Sequence, residues 1–183
     1  LKSIFGYLAY FVKGAEVLPR MKPIPMHIEY DDGIFEGEAT MFLVALTNSI
    51  GGFEQIAPDA LLDDGKFTLI VLKTSNLADI MYLVAQVLNG GKHLTNSKIL
   101  YKKTSKIVAR PGNSSKMMIN LDGEYGGNAP VTFSNLHQHI EIIVSTDDIQ
   151  KAVDKKDENA EGVEDAFIKE VEELTNQDIN GDG

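Results

Sequence analysis

A glutamate framed by glycines, in Asn120-Leu121-Asp122-Gly123-Glu124-Tyr125-Gly126-Gly127, is the position in this chain best suited to proton transfer. Glycines let a ligand come close, and a carboxylate at such a bend can accept a proton from a bound hydroxyl. A second acidic glycine turn, Asp63-Asp64-Gly65, precedes the apolar run Phe67–Lys73. Carboxylates and main-chain carbonyls at a tight turn are the ligands that a hard cation such as magnesium prefers. Both turns also have a plain reading. Asp-Gly pairs mark turns whether or not they act, because glycine accepts positive φ and aspartate caps the backbone.

Other chemistry is sparse. The 183 residues contain no cysteine, which removes disulfides, thiolate zinc sites and cysteine nucleophiles. His137 and His139 would share a face in a strand, but no third ligand accompanies them, so a surface pair is expected rather than a metal site. Serine nucleophiles lack the glycine elbow. Gly51-Gly52 has no adjacent lysine of the phosphate-loop type, so no nucleotide cradle can be pointed to. The closing Asp178-Ile179-Asn180-Gly181-Asp182-Gly183 imitates the start of a calcium loop but lacks its bidentate glutamate, and calcium is not expected there.

The net charge of −10 sits unevenly. Residues 147–183 carry 13 acidic and 4 basic side chains, against 14 and 13 in residues 1–146. The body is therefore close to neutral and the acidity belongs to the tail. Lys98, Lys102, Lys103, Lys106 and Arg110 are the nearest thing to a basic patch. They are spread over two expected strands and read as solvated strand-face charges, so nucleic acid is not an expected partner. The apolar runs fall far short of the ~20 residues a membrane span requires. The chain begins at Leu1, which reads as a fragment or a processed product.

The elements that must position these turns follow from periodicity. Residues 3–18 have Ile4, Tyr7, Leu8, Phe11, Val12 and Ala15 at helical spacing, ended by Pro19. Such a greasy entering helix either packs on the core, joins a preceding domain or flanks an apolar ligand site. From residue 26 the period changes to two, and the runs 26–30 and 34–38 around Asp31-Asp32-Gly33 predict a hairpin. Residues 40–47 and 67–73 read as strands buried on both faces, with a 19-residue loop between them. Residues 76–90 predict a helix with Asn76 as N-cap, a stripe of Leu77, Ile80, Val84 and Leu88, and Gly90-Gly91 as terminator. Short strands are expected at 98–102, 105–110, 116–121, 130–133 and 138–145. The fold class is mainly β: an antiparallel sandwich with flanking helices over 1–146, followed by an acidic, partly helical tail at 147–183. In that tail Val163, Phe167, Val171 and Leu174 form an amphipathic stripe.

The segments FGYLAYFVKG (5–14), LTNSIGGFEQIAPDALLDDGKFTLIVLKTSNL (46–77) and NLDGEYGG (120–127) resemble the carboxy-terminal domain of the soluble bacterial diacylglycerol kinases. These are relatives of sphingosine kinases and share their architecture with NAD kinases. The resemblance spans about residues 2–146. It implies a β-sandwich that completes a cleft with an amino-terminal domain, where a Gly-Gly-Asp-Gly-Thr loop binds ATP; that motif does not occur in this sequence. By motif it implies Glu124 as proton acceptor and Asp64 as magnesium ligand, with the carbonyls of Leu61 and Lys66. Lys13 and Asp122 fall in supporting places. The implied reaction moves the γ-phosphoryl of ATP to diacylglycerol, giving phosphatidic acid, and the half present here would not turn over alone. Another lipid alcohol or a sphingoid base as acceptor stays open, as does a non-catalytic sandwich that binds a partner through the 47–66 loop. The resemblance further implies a cytoplasmic protein that visits the inner membrane face, with a homodimer left open.

Overall fold

Alternating apolar and polar side chains draw the first described segment into a hairpin. In the computed structural model, which describes residues 22–47, 56–73, 76–88, 92–141 and 143, strand β1 (Ile24–Tyr30) pairs antiparallel with β2 (Gly33–Ala39). Tyr30 lies opposite Gly33, so Asp31 and Asp32 alone form the turn. Met26 and Ile28 point into the core while their neighbours are only half-buried, as a period of two demands. The expected helix at 3–18, Gly51-Gly52, the calcium-like ending and the acidic tail lie outside the described residues.

Two sheets follow. Strands β3 (Met41–Ala45), β4 (Phe67–Leu72) and β5 (Ile99–Thr104) form one, in the order β3-β4-β5. Strands β6 (Lys106–Pro111) and β9 (Val131–Ser134) extend the first hairpin into a four-stranded sheet, β2-β1-β6-β9. All pairings are antiparallel. Leu69 and Val71 of β4 meet Met26, Ile28, Ile107 and Ala109 of the facing sheet in one apolar cluster. Phe42 and Phe133 cross between the sheets edge to face, with ring centroids 6.4 Å apart. This is the expected sandwich. As a central strand, β4 is buried on both faces; β3 was expected to match it but is mostly half-buried, because it forms an edge of its sheet.

Helix α1 (Leu77–Leu88) and a 3-10 turn (Lys92–Thr95) connect β4 to β5. Asn76 caps the helix as expected, its Oδ1 accepting the Ala78 N–H at 2.9 Å. Of the expected stripe, Ile80 is buried, and Leu83 and Val87 are buried with it. The side chains of Leu77, Val84 and Leu88 lie outside the described residues.

Two expectations are corrected. The stretch 124–128, read as part of a glycine turn, is a strand, β8 (Glu124–Asn128), paired with β7 (Met118–Leu121). A two-residue turn is enough to reverse the chain, which frees the residues behind it to pair. Conversely, the strand expected at 138–145 does not form over its described start. His137 and Gln138 make a turn, Gln138 has φ 51°, and the His139 N–H donates to the Leu136 carbonyl at 3.2 Å. The left-handed backbone at Gln138 is incompatible with an extended strand.

Between β5 and β6 stands a single residue, Ser105, where the chain leaves one sheet for the other. The Asp31 carboxylate accepts the Ser105 N–H at 2.7 Å, the Ser105 hydroxyl at 3.1 Å and the Lys106 N–H at 3.2 Å. The Asp31 N–H donates to the Thr104 hydroxyl oxygen at 2.9 Å, and that hydroxyl donates to the Lys106 carbonyl at 2.8 Å. Donation by the Ser105 main chain, opposed by partial burial, holds the Asp31 carboxyl below the usual carboxylate range. A depressed native pKa stabilises the fold above the unfolded value and loses that contribution as pH falls through the native one. Asp31→Asn should therefore cost about 1–2 kcal/mol at neutral pH, after allowing for solvent exposure of the side chain. The gap from wild type should close as pH falls below about 4 in denaturant melts.

Candidate functional site

The hairpin β7–β8 exposes Glu124. Asp122 and Gly123 form its turn with φ of 49° and 101°, the doubly left-handed pair that matches strand twist. The Asn120 side-chain oxygen accepts the Gly123 N–H at 2.9 Å and closes the turn. Glu124, the first residue of β8, lies opposite Leu121 and is exposed. Asn120 faces Tyr125 and Met118 faces Asn128, so Gly126 and Gly127 together oppose Ile119 in a bulge. Gly127 has φ 96°, which only glycine adopts without strain. Met117 and Ile119 are buried, and the Ala129 N–H donates to the Met117 carbonyl at 2.8 Å, anchoring the base of the hairpin. The result is a carboxylate held at the tip of a fastened ribbon.

The second acidic turn lies in a loop, residues 56–66, fastened by side chains of β5. Tyr101 and Lys103 are two apart in that strand and so share a face, the one away from the sandwich core. The Tyr101 hydroxyl donates to the Asp59 carboxylate. Burial and the Asp59 carboxylate together push the Tyr101 pKa well above that of an ordinary phenol. The Lys103 ammonium donates to the Asp59 carbonyl at 3.0 Å and pairs with Asp64 Oδ2 at 2.8 Å. Asp64 Oδ1 accepts the Lys66 N–H at 2.8 Å. The bond from Lys103, opposed by desolvation, holds the Asp64 carboxyl below the usual range.

Histidines fasten both ends of the loop. His93 is fully buried, and its Nε2 lies 3.0 Å from the Ile56 carbonyl. A carbonyl can only accept, so Nε2 carries the hydrogen. Burial holds the His93 pKa below that of a free imidazole, which favours the neutral ring. His137 Nε2 donates in the same way to the Asp63 carbonyl at 2.8 Å. Gly65 has φ 69°, and a Cβ there would meet the His137 ring at 3.1 Å.

Asp64 and Lys66 meet through the Lys66 N–H, Leu61 stands exposed on the same loop, and Asp122 and Glu124 share one hairpin tip. Among the described residues no hydrogen bond or ion pair joins the two groups. Lys13 lies outside the described residues. The expected face-sharing of His137 and His139 is overturned, because they stand in a turn and His137 is committed to Asp63. Three of the five basic-patch residues carry carboxylate partners: Lys98 with Asp79, Lys103 with Asp64 and Arg110 with Glu29. Sequence reading missed Asp59, His93, Tyr101 and Lys103 as loop-holding residues. The two-residue spacing of Tyr101 and Lys103 was the available signal.

The loop also bears on a metal. One carboxylate oxygen and one main-chain carbonyl already converge on a cationic centre, the Lys103 ammonium. That donor set fits a hard cation. Among the described residues no three His, Asp or Glu side chains gather as a metal cluster, so carbonyl oxygens would have to supply the remaining ligands.

A two-sheet antiparallel sandwich with a carboxylate at a hairpin tip and a docked acidic loop defines the class of domain. The chain belongs to the family described as the YegS C-terminal NAD kinase beta sandwich-like domain, whose model matches residues 1–144. A Staphylococcus epidermidis protein named diacylglycerol kinase is 48% identical over 147 residues, covering 80% of this chain and 46% of that protein. One from Bacillus subtilis, with the same name, is 46% identical over 144 residues, covering 79% and 46%. The chain spans about half the length of these curated relatives. A crystal structure of a diacylglycerol kinase from Bacillus anthracis str. Sterne has the same fold, with TM-score 0.53 and 18% identity over 74% of this chain and 47% of that one. Among the described residues no helix is long and apolar enough to cross a membrane.

Gly65→Ala should strain the left-handed backbone and push His137 off the Asp63 carbonyl, costing about 1–3 kcal/mol. Hydrogen exchange should show the loss as faster amides across 59–66, with the β1–β2 hairpin unchanged.

Proposed function

We propose that this chain is the acceptor-side half of an ATP-dependent lipid kinase that phosphorylates the primary hydroxyl of diacylglycerol to give phosphatidic acid. The observation that carries the reading is Glu124, exposed at the end of a turn whose backbone is fixed by Asn120 and by the Gly126-Gly127 bulge. The relatives named diacylglycerol kinase support the substrate class. In the proposed reaction the lipid hydroxyl oxygen attacks the γ-phosphorus and the bond to the bridging oxygen of ADP breaks. The hydroxyl proton passes to the Glu124 carboxylate and then to water. A carboxylate is far too weak a base to ionise an alcohol beforehand. It takes the proton as the new bond forms, a contribution on the order of 10²–10⁴ in rate. The remaining catalysis is positioning and neutralisation of phosphate charge, for which an amino-terminal ATP-binding half is required.

In this reading the Asp64 carboxylate and the carbonyls of Leu61 and Lys66, on the 56–66 loop, would hold magnesium. When bound, the ion would supply positive charge to offset that of the phosphates. Asp122 supports the reading by adopting the left-handed backbone that turns the chain just before Glu124, and Lys13 is proposed as a supporting cation. The protein works in the cytoplasm, meeting its lipid transiently at the inner membrane face.

In the full-length enzyme, Glu124→Gln should lower lipid phosphorylation by roughly 10²–10⁴-fold while leaving the melting temperature close to wild type. Near-normal turnover on a diacylglycerol panel would refute the base assignment. Asp64→Asn should weaken magnesium binding measured by calorimetry, and an unchanged isotherm would remove Asp64 from the metal site.

A further inference from the structure

We propose that Lys103 is the resident counter-ion of the 56–66 loop, its ammonium filling the cation seat at Asp64 so that a divalent ion binds there only by displacing it. The inference rests on the reading of Asp64 as a divalent-ion ligand and adds the competitor. Its ground is the bonding of one carboxylate. Asp64 Oδ1 is engaged by the Lys66 N–H, and Oδ2 by the Lys103 ammonium at 2.8 Å. The same ammonium reaches the Asp59 carbonyl at 3.0 Å, so it is held by the mixed carboxylate and carbonyl oxygens that a hard cation seeks.

Both side chains of the pair are only about one-fifth exposed, at 21% and 22%, so solvent screens it incompletely. A doubly charged ion on Oδ2 would stand within a few ångströms of the ammonium and repel it. Lys66 adds a second positive charge that favours the ionised Asp64 and equally opposes an incoming cation. A lysine can resolve this conflict, because its ammonium is a point charge on a flexible four-carbon stem that can swing into water. The loop therefore has two cation-held states. In the ion-free state Lys103 bridges Asp59 and Asp64; in the ion-bound state Lys103 is released and β5 keeps the loop through Tyr101 and Asp59 alone. A function follows for a residue outside the family motif: Lys103 keeps the loop assembled without metal and sets the ion concentration at which the exchange occurs.

The test is a manganese and magnesium titration by calorimetry of the whole protein, as wild type, Lys103→Gln, Lys103→Met, Lys103→Arg and Asp64→Asn. Each is paired with hydrogen exchange of residues 59–66 in chelator and in excess ion. Removing the charge in Lys103→Gln or Lys103→Met should tighten divalent binding on the order of tenfold or more, and should make protection of the loop depend on the ion. Lys103→Arg, which keeps the charge, should stay near wild type. Lys103→Met preserves the packing of the stem and gives the same reading if the glutamine variant fails to fold. If Asp64→Asn weakens binding but both neutral Lys103 variants bind no more tightly than wild type, the displacement is wrong and the metal ligand stands. Should Asp64→Asn leave the isotherm unchanged, the ligand assignment fails and the inference falls with it.

Discussion

The chain crosses between the two sheets through single residues, Thr40 and Ser105, and the Asp31 carboxylate holds the second crossing in place. Ser105 has no strand partner available on both sides, because β5 belongs to one sheet and β6 to the other. Its N–H and hydroxyl would face a corner with no ladder to complete them. Asp31 supplies the missing acceptor, and Thr104 closes the circuit from the buried side. The β1–β2 turn is thereby pinned against the corner, and the facing apolar surfaces, with Leu69 and Val71 against Ile28 and Ile107, are brought into register. A bond to a charged acceptor is stronger than one between neutral groups, which suits a point where few bonds carry the geometry.

Strand β5 then serves two masters. Leu100 packs on the sandwich core, while Tyr101 and Lys103, on the opposite face, reach out to the aspartates of the 56–66 loop. The pleat makes this division automatic: alternate residues look to opposite sides, so one strand can hold a core and fasten a loop. A loop carrying Asp59, Asp63 and Asp64 would repel itself if left in water. Here Lys103 offsets the charge, and His93 and His137 take the carbonyls of Ile56 and Asp63. The acidic loop is ordered by donors from outside it.

Glu124 is held by different means. Its own side chain is exposed to solvent, but the backbone beneath it is constrained at Asp122, Gly123 and Gly127 and anchored by the buried Met117 and Ile119. A tight hairpin gives this carboxylate an open approach and a fixed root. The exposed Leu121 and Tyr125 flank it, and Asp122 adds a second exposed acid at the turn.

Much of this was written in local pattern. The period-two runs gave β1 and β2, the continuous apolar run at 67–73 gave β4, Asn76 gave the helix start, and the Asp-Gly pair of NLDGEYGG gave the bend before Glu124, because each depends on residues within a few positions. What local pattern misjudged depended on neighbours far along the chain. Glu124–Asn128 is a strand because β7 is there to pair with it, and His137 leaves the extended form because its ring finds the Asp63 carbonyl, 74 residues away. The residue types that could act, Glu124 and Asp64, were legible from sequence alone. That Asp64 carries a lysine as its cation was decided by tertiary structure, since only the folding of the loop onto β5 brings an ammonium 39 positions distant within 2.8 Å of its carboxylate.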